Sequence, residues 1–271
     1  PHPASAPIPP SALITFAGFK MSLDNGWFTE PAGPRVDSFR YPGYAGALEL
    51  CTRADELGAA ISIHAIGDLG VAEALDIAGS LTSRRGTRRP PHRIIHARRV
   101  QPEDIRRCAD LGVVIEAQPW EIVGAGRILA EGRSPGFTEL LSPFRALLDA
   151  GVTVTFGSDR RLGMRADLAD CDPLLGIQTA VTRMDPTRPG DERIFQTAQR
   201  LTATEALYCA AGAGAAAIGA AERRGRIAAG YDADLVVLGG DPAAIDPHEI
   251  GRLRVELTVS AGRPLRPERI P

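Results

Sequence analysis

The stretch GAAISIHAIGDLG, residues 58–70, decides the fold class, because a buried strand and a helix start follow each other within it. The apolar run at 59–63 predicts a short strand, and Gly67-Asp68 predicts a turn into a helix with Asp68 as its N-cap. His64 then ends the strand and faces the region beyond its carboxyl end. In sheets built of βα units, that end of the sheet is where the chemistry lies.

The same strand-then-helix pattern recurs along most of the chain. Strands are predicted at 14–20, 60–64, 93–96, 113–117 and 152–156, and helices at 44–57, 68–81, 102–111, 138–150, 173–183 and 203–218. This alternation predicts an α/β protein with a parallel sheet and covering helices. The tail differs, since GRIAAGYDADLVVLGGDP (225–242) and VELTVSAGRPL (255–265) have no helix between them long enough for a parallel crossover. They predict a small antiparallel element.

Polar side chains stand at the carboxyl ends of these predicted strands. Lys20, His64, His96 and Asp159 end the first, second, third and fifth strands, and Gln118 follows the fourth. The carboxyl ends of parallel strands meet at one edge, so two imidazoles, a carboxylate and a lysine are expected to converge. Imidazole nitrogen and carboxylate oxygen are ligands of a divalent ion such as zinc.

Each of these residues also has a purely structural interpretation. His64 and His96 are compatible with buried histidines whose hydrogen bonds are satisfied. Asp159, after Gly157-Ser158, is compatible with a turn cap, and Lys20 with an exposed strand end. The metal hypothesis depends on all four occurring at corresponding positions of successive βα units.

Length, charge and cysteine usage exclude several classes of protein. The chain has 271 residues, 44% hydrophobic and 24% charged, with a net charge of −2. That balance gives no reason to expect a nucleic-acid or anionic-membrane partner, and no apolar run reaches the roughly 20 residues of a membrane span. Cys51, Cys108, Cys171 and Cys209 form no CxxC pair. They predict reduced thiols in a cytoplasmic protein, without a zinc knuckle or disulfide framework.

The chain resembles the carboxyl-terminal half of a YtcJ-like (amidohydrolase 3) member of the amidohydrolase superfamily. The resemblance covers most of residues 12–264, with its motifs in the family's order. Those motifs are HAIGD (64–68), RIIHARRVQPEDI (93–105), LGVVIEAQP (111–119), LLDAGVTVTFGSD (147–159), DPLLGIQTAVTR (172–183) and GRIAAGYDADLVVLGGDP (225–242).

The resemblance implies a metal-dependent (β/α)8 TIM-type barrel with a small β-sandwich. It places the metal ligands at Lys20, His64, His96 and Asp159, with the lysine often carboxylated, around one or two divalent ions, of which zinc is favoured. The five strands become strands four to eight of the barrel. The expected organisation is a disordered lead-in at 1–11, a partial barrel at 12–222 and the β-sandwich strands at 223–271.

The sequence departs from the family pattern at several positions. It contains no HxH motif, which the family carries on strand one, and it begins with proline. We therefore expect a fragment that lacks an amino-terminal half, or a chain that another chain completes, for example as a homo-oligomer. Ile95 stands where the family usually has glutamate, which removes a carboxylate beside His96. Arg160 and Arg161 follow the GSD motif and bring positive charge near the site.

The activity implied is hydrolysis of a C–N bond in a small amide, N-formyl compound or cyclic amide by metal-activated water. Asp159 is expected to transfer the proton, and Gln118 or Trp120 to line the substrate pocket. The glycine-rich residues 121–137 are expected to form an active-site loop. Two alternatives stay open: a non-catalytic fragment or scaffold that binds no metal, and a deaminase or lyase on the same fold.

Overall fold

The computed structural model describes residues 18–24, 43–82, 90–123, 134–159, 172–188 and 190–265. Several expectations fall outside these ranges. They are the lead-in at 1–11, the first strand before residue 18, the loop at 83–89, the glycine-rich residues 124–133, and the pair Arg160 and Arg161.

A five-stranded parallel sheet, with its strands paired in chain order, confirms the predicted α/β class. The strands are β1 (Phe19–Ser22), β2 (Ile61–Ala65), β3 (Arg93–His96), β4 (Val114–Ala117) and β5 (Val154–Phe156). The helices are α1 (Tyr44–Glu56), α2 (Asp68–Thr82), α3 (Pro102–Leu111), α4 (Pro135–Thr138), α5 (Phe144–Asp149), α6 (Pro173–Thr182), α7 (Ala203–Ala210) and α8 (Gly212–Ala217). Strand order that follows chain order is how a barrel winds, whereas doubly wound sheets reverse at a switch point.

The two faces of this sheet have opposite chemistry. One register row is apolar and belongs to the core: Met21, Ile63, Ile94, Ile115 and Val154. Successive side chains of a strand point to opposite faces, so the next row lies on the other face. That row is mostly polar: Ser22, His64, Ile95, Glu116 and Thr155.

Helix α3 shows why the local predictions were accurate. Pro102 occupies its first turn, where a missing N–H costs nothing, and Glu103 and Asp104 place negative charge at its amino end. Gly112 ends it in the left-handed conformation, with φ 61°, and its N–H bonds back to the helix. Glycine adopts this conformation at little cost. The predicted bounds 102–111 are those of the structure.

Two predicted helices are wrong as single elements. The segment 138–150 breaks, because Ser142 has φ 47° and Pro143 cannot donate a backbone hydrogen bond to a continuing helix. The fully buried Arg183 fixes this break by donating from Nη1 to the Ser142 carbonyl over 3.2 Å. The segment 203–218 likewise breaks at Ala211, whose φ and ψ are −127° and −73°. The break at Ser142 thus combines a local cause, Pro143, with a contact from the distant Arg183.

The tail forms a separate antiparallel sheet, as predicted. It consists of β6 (Leu235–Leu238), β7 (Val255–Ser260) and β8 (Arg263–Leu265), with a turn at Ala261-Gly262 between the last two strands. A 3₁₀ helix at Pro247–Arg252 joins it to the larger part, because Gly251 N donates to Gln178 Oε1 of α6 over 2.8 Å. Across the part of the chain that the structure describes, no helix is long and apolar enough to cross a membrane.

Helix α2 contains two glycines whose replacement should have opposite effects. A Cβ on Gly70 would lie 2.6 Å from the Asp24 carboxylate, which accepts hydrogen bonds from Ile66 N and Gly67 N and cannot move aside freely. We expect Gly70→Ala to lower the free energy of unfolding by about 1–2 kcal/mol through overpacking. A Cβ on Gly79 meets only Leu111, at 3.7 Å.

Gly79→Ala is therefore the matched control in the same helix. It should raise the free energy of unfolding by about 0.5–1 kcal/mol, because alanine loses less backbone entropy than glycine. Urea unfolding of the two variants checks both signs. Equal effects would show that the contact between Gly70 and Asp24 does not constrain this helix.

Candidate metal centre

His64 and His96 lie together at the carboxyl end of the sheet. His64 Nδ1 is 3.0 Å from His96 Nε2, and the ring centroids are 4.3 Å apart at an interplanar angle of 73°. His64 is the penultimate residue of β2 and not its last, whereas His96 ends β3. A positive φ of 77° at His96 turns the chain there. Non-glycine residues in this conformation cost free energy and concentrate at functional sites.

Asp159 follows β5 and brings a carboxylate to the same histidine. Its Oδ2 is 3.9 Å from His96 Nε2, the nitrogen that also faces His64. The Asp159 backbone has φ 44°, and its side chain is 34% exposed. The structure thus brings together the two histidines and the aspartate that the sequence analysis selected.

The donor set around His96 Nε2 fits a divalent cation. Two imidazole nitrogens bound to one tetrahedral zinc ion at about 2.0–2.1 Å stand about 3.3 Å apart, close to the 3.0 Å between His64 Nδ1 and His96 Nε2. The other nitrogen of His64, Nε2, is buried and has no hydrogen-bond partner among the described residues. Burial, then the neighbouring His96, lowers the pKa of His64 to about 4. The neutral imidazole, which binds metals, is therefore its form at pH 7.

Lys20 lies two residues before Ser22, the β1 residue that pairs in register with His64. Strand β1 continues two residues beyond it to Ser22, so the prediction that the strand ends near Lys20 was wrong. Lys20 pairs in register with Ser62, on the same face as His64, and its side chain is exposed. The positive charge of Lys20 is one of the smaller causes of the lowered pKa of His64. The ammonium group of Lys20 therefore acts electrostatically on the site.

The two residues expected to line a substrate pocket occupy different places. Gln118 is buried, and its Oε1 lies 2.8 Å from His96 Nδ1. Trp120 donates from Nε1 to the Ser158 carbonyl over 2.7 Å. It lines a cavity of about 200 Å³ beside the residues that lead into Asp159. The other lining residues include Phe156, Gly157, Ser158 and Ile177.

A buried carboxylate that the sequence analysis missed lies next to His96. Glu121 belongs to a 3₁₀ helix, Pro119–Ile122, and its Oε2 is 3.6 Å from His96 Nδ1. Ligand atoms of His96, Glu121 and Asp159 all lie within 4.8 Å of one another. Burial raises the pKa of the Glu121 carboxyl, but its contacts with His96 and Arg98 outweigh burial and hold that pKa below its usual range.

Asp24 is a second missed residue, and it fixes the turn that follows His64. Its carboxylate accepts from Ile66 N over 2.6 Å and from Gly67 N over 3.0 Å. Asp68 starts α2, but its carboxylate pairs with the buried Arg99 and accepts from Gln101 Nε2 over 2.7 Å. The Asp24 carboxylate thus holds the turn after β2, and Asp68 is the first residue of α2 and not the N-cap that the sequence predicted.

Comparison with known proteins places the chain in a family. The family model described as Amidohydro_3, amidohydrolase family, matches residues 2–266. The chain is 30% identical over 214 residues to YtcJ of Bacillus subtilis (strain 168), a match that covers 79% of this chain and 39% of YtcJ. It is 32% identical over 215 residues to an N-substituted formamide deformylase of Arthrobacter pascens, covering 79% of this chain and 38% of that enzyme. The chain therefore spans about two-fifths of the length of these relatives.

Solved structures share the fold. A metal-dependent hydrolase of Pyrococcus horikoshii OT3 superposes with a TM-score of 0.70 at 23% identity, covering 85% of this chain and 46% of that chain. A metal-dependent hydrolase of Pyrococcus furiosus gives a TM-score of 0.62 at 25% identity, covering 79% of this chain and 42% of that chain. Both are described as uncharacterized metal-dependent hydrolases.

Proposed function

Because this chain belongs to the amidohydrolase family, we propose that it carries the metal-binding and proton-transfer residues of a hydrolase that cleaves a C–N bond. The observation that carries the proposal is the meeting of His64 Nδ1 and Asp159 Oδ2 at one atom, His96 Nε2, over 3.0 and 3.9 Å. We also propose that β1–β5 correspond to strands four to eight of an eight-stranded barrel, at 12–222, followed by the sandwich strands at 223–271.

In this proposal His64 and His96 hold a divalent ion, with zinc as the best match to two nitrogens and an oxygen. When bound, such an ion supplies an acidified water and a Lewis acid for a carbonyl oxygen. Lys20, in carboxylated form, is assigned to a second ion. Its place on the face of the sheet that carries His64 supports this assignment.

Asp159 is assigned the proton transfer. Its half-exposed carboxylate lies close enough to His96 to reach a water held at that nitrogen. It takes the proton of the attacking water and passes it to the leaving nitrogen, so that one acid and one amine are released. Trp120 and Phe156 give the neighbouring cavity an apolar wall, which fits the uncharged substituent of a small amide.

The first substrates to test are N-substituted formamides, because a relative 32% identical to this chain is named as their deformylase. Purified, zinc-loaded protein should release formate and the free amine in equal amounts. Release of ammonia from an amino-substituted substrate, with the formamides left intact, would instead support the deaminase alternative. Purified protein that retains no zinc and releases no product would support the non-catalytic alternative and contradict the proposal.

A further inference from the structure

His96 is contacted on both of its ring nitrogens, and the two sides differ in chemistry. Its Nε2 faces His64 Nδ1 and Asp159 Oδ2, the proposed metal ligands. Its Nδ1 faces two acceptor oxygens, Gln118 Oε1 at 2.8 Å and Glu121 Oε2 at 3.6 Å. The two nitrogens of an imidazole point away from each other in the ring plane. An ion on Nε2 would therefore be bound through a different nitrogen from the one that faces the Gln118 and Glu121 oxygens, although a Glu121 oxygen also lies within 4.8 Å of an Asp159 oxygen.

Glu121 is held rigidly in this position. Only 4% of its side chain is exposed, and the Arg98 guanidinium grips it with two nitrogens. Arg98 Nε donates to Glu121 Oε2 over 2.6 Å, and Arg98 Nη2 donates to Glu121 Oε1. A paired guanidinium and carboxylate of this kind is geometrically specific.

Burying a charged pair costs hydration free energy, so a gain in stability does not by itself explain why Glu121 and Arg98 pair here. Charged groups lose hydration when buried, and apolar residues of similar size often serve stability as well or better. Arg98 keeps part of its side chain in solvent, with 19% exposed, while the carboxylate is directed inward at the histidine. The carboxylate is therefore the end of this pair that faces His96.

We propose that Glu121, gripped by Arg98, is a positioning residue that keeps the proton of His96 on Nδ1 and so leaves the Nε2 lone pair for the metal ion. A neutral imidazole carries one proton, and the two acceptors beside Nδ1, Gln118 Oε1 and Glu121 Oε2, retain it there. Metal-bound histidines typically donate their other N–H to a carboxylate or carbonyl in this way, which fixes the ring and the tautomer. The inference rests on the proposed metal centre and adds to it a residue that does not bind the ion.

The test compares zinc affinity in the purified full chain and two matched variants. Glu121→Gln removes the charge with little change in shape. Glu205→Gln removes another arginine-paired glutamate, on α7, whose partner Arg145 lies outside the site. Chelator competition should show zinc binding weakened about 10–100-fold in Glu121→Gln, with full stoichiometry at saturating zinc. Glu205→Gln should bind zinc within twofold of the unaltered chain.

Two results would overturn the inference while leaving the proposed function intact. One is a Glu121→Gln affinity within twofold of the unaltered chain. The other is a folded Glu121→Gln protein that binds no zinc at any concentration, which would make Glu121 a ligand. An unaltered chain that binds no zinc would instead defeat the proposed function itself, and this inference with it.

A spectroscopic measurement on the unaltered chain keeps the test valid even where Glu121→Gln fails to fold. Long-range ¹H–¹⁵N spectra of histidine-labelled, zinc-loaded protein report which nitrogen of each ring carries the proton. His96 should show a protonated Nδ1. A protonated Nε2 on His96 would overturn the inference directly.

Discussion

Replacing Asp159 with asparagine is expected to lower kcat for N-substituted formamides by about 10³-fold, the scale of a lost general acid–base group. Asparagine keeps the size of the side chain, but its amide cannot accept the proton of the attacking water. Most of the bound zinc should remain in place, because His64 and His96 still bind it. Measuring turnover and zinc content in the same sample tests both the loss of activity and the retention of metal.

The control for this variant is Asp149→Asn. Asp149 is an exposed residue of α5 that pairs with Arg145 over 3.1 Å, outside the site. The Asp149→Asn variant should have a kcat within twofold of that of the unaltered chain. Unchanged turnover in Asp159→Asn would remove Asp159 from the mechanism. Loss of zinc together with turnover would show instead that Asp159 acts chiefly as a ligand.

Replacing either His64 or His96 with alanine is expected to weaken zinc binding more than 100-fold, beyond the roughly 10–100-fold effect of losing an outer contact to a ligand. Each histidine supplies one of the about four ligands that a zinc ion needs. Metal analysis after dialysis against a weak chelator should find the unaltered chain loaded and both variants empty.

His248→Ala is the matched control for the histidine variants. His248 lies in the 3₁₀ helix Pro247–Arg252 of the tail and is exposed. Its removal should leave zinc content unchanged. Retention of zinc by both His64→Ala and His96→Ala would place the ion elsewhere and contradict the site.

Local signals in the sequence predicted the parallel sheet and most of its helices. Pro102 and Gly112 fix the ends of α3 within the chain segment itself, so no distant contact is needed to place them. The break at Ser142 is different, because Arg183, 41 residues away, holds it. The start of α8 lies in a tight local contact, since a Cβ on Gly212 would lie 2.7 Å from the ring of Tyr208, four residues earlier.

The positions of the candidate side chains could be predicted to the extent that strand ends determine them. His64, His96 and Asp159 follow from the rule that parallel strands bring their carboxyl ends together, and the structure gathers them at one atom. Glu121 and Asp24 did not follow from that rule, because neither ends a strand. The sequence has Ile95 where the family usually has glutamate, which suggested that no carboxylate lies beside His96. In the structure, Glu121 supplies a carboxylate there from the 3₁₀ helix that follows β4.

The most direct test of the account is a crystal structure of the zinc-loaded protein with anomalous differences measured at the zinc edge. The account predicts a peak bonded to a nitrogen of His64 and to Nε2 of His96 at about 2.0–2.1 Å, with an Asp159 oxygen beside it. Zinc bound elsewhere, with the two rings hydrogen-bonded to each other across an empty site, would contradict it.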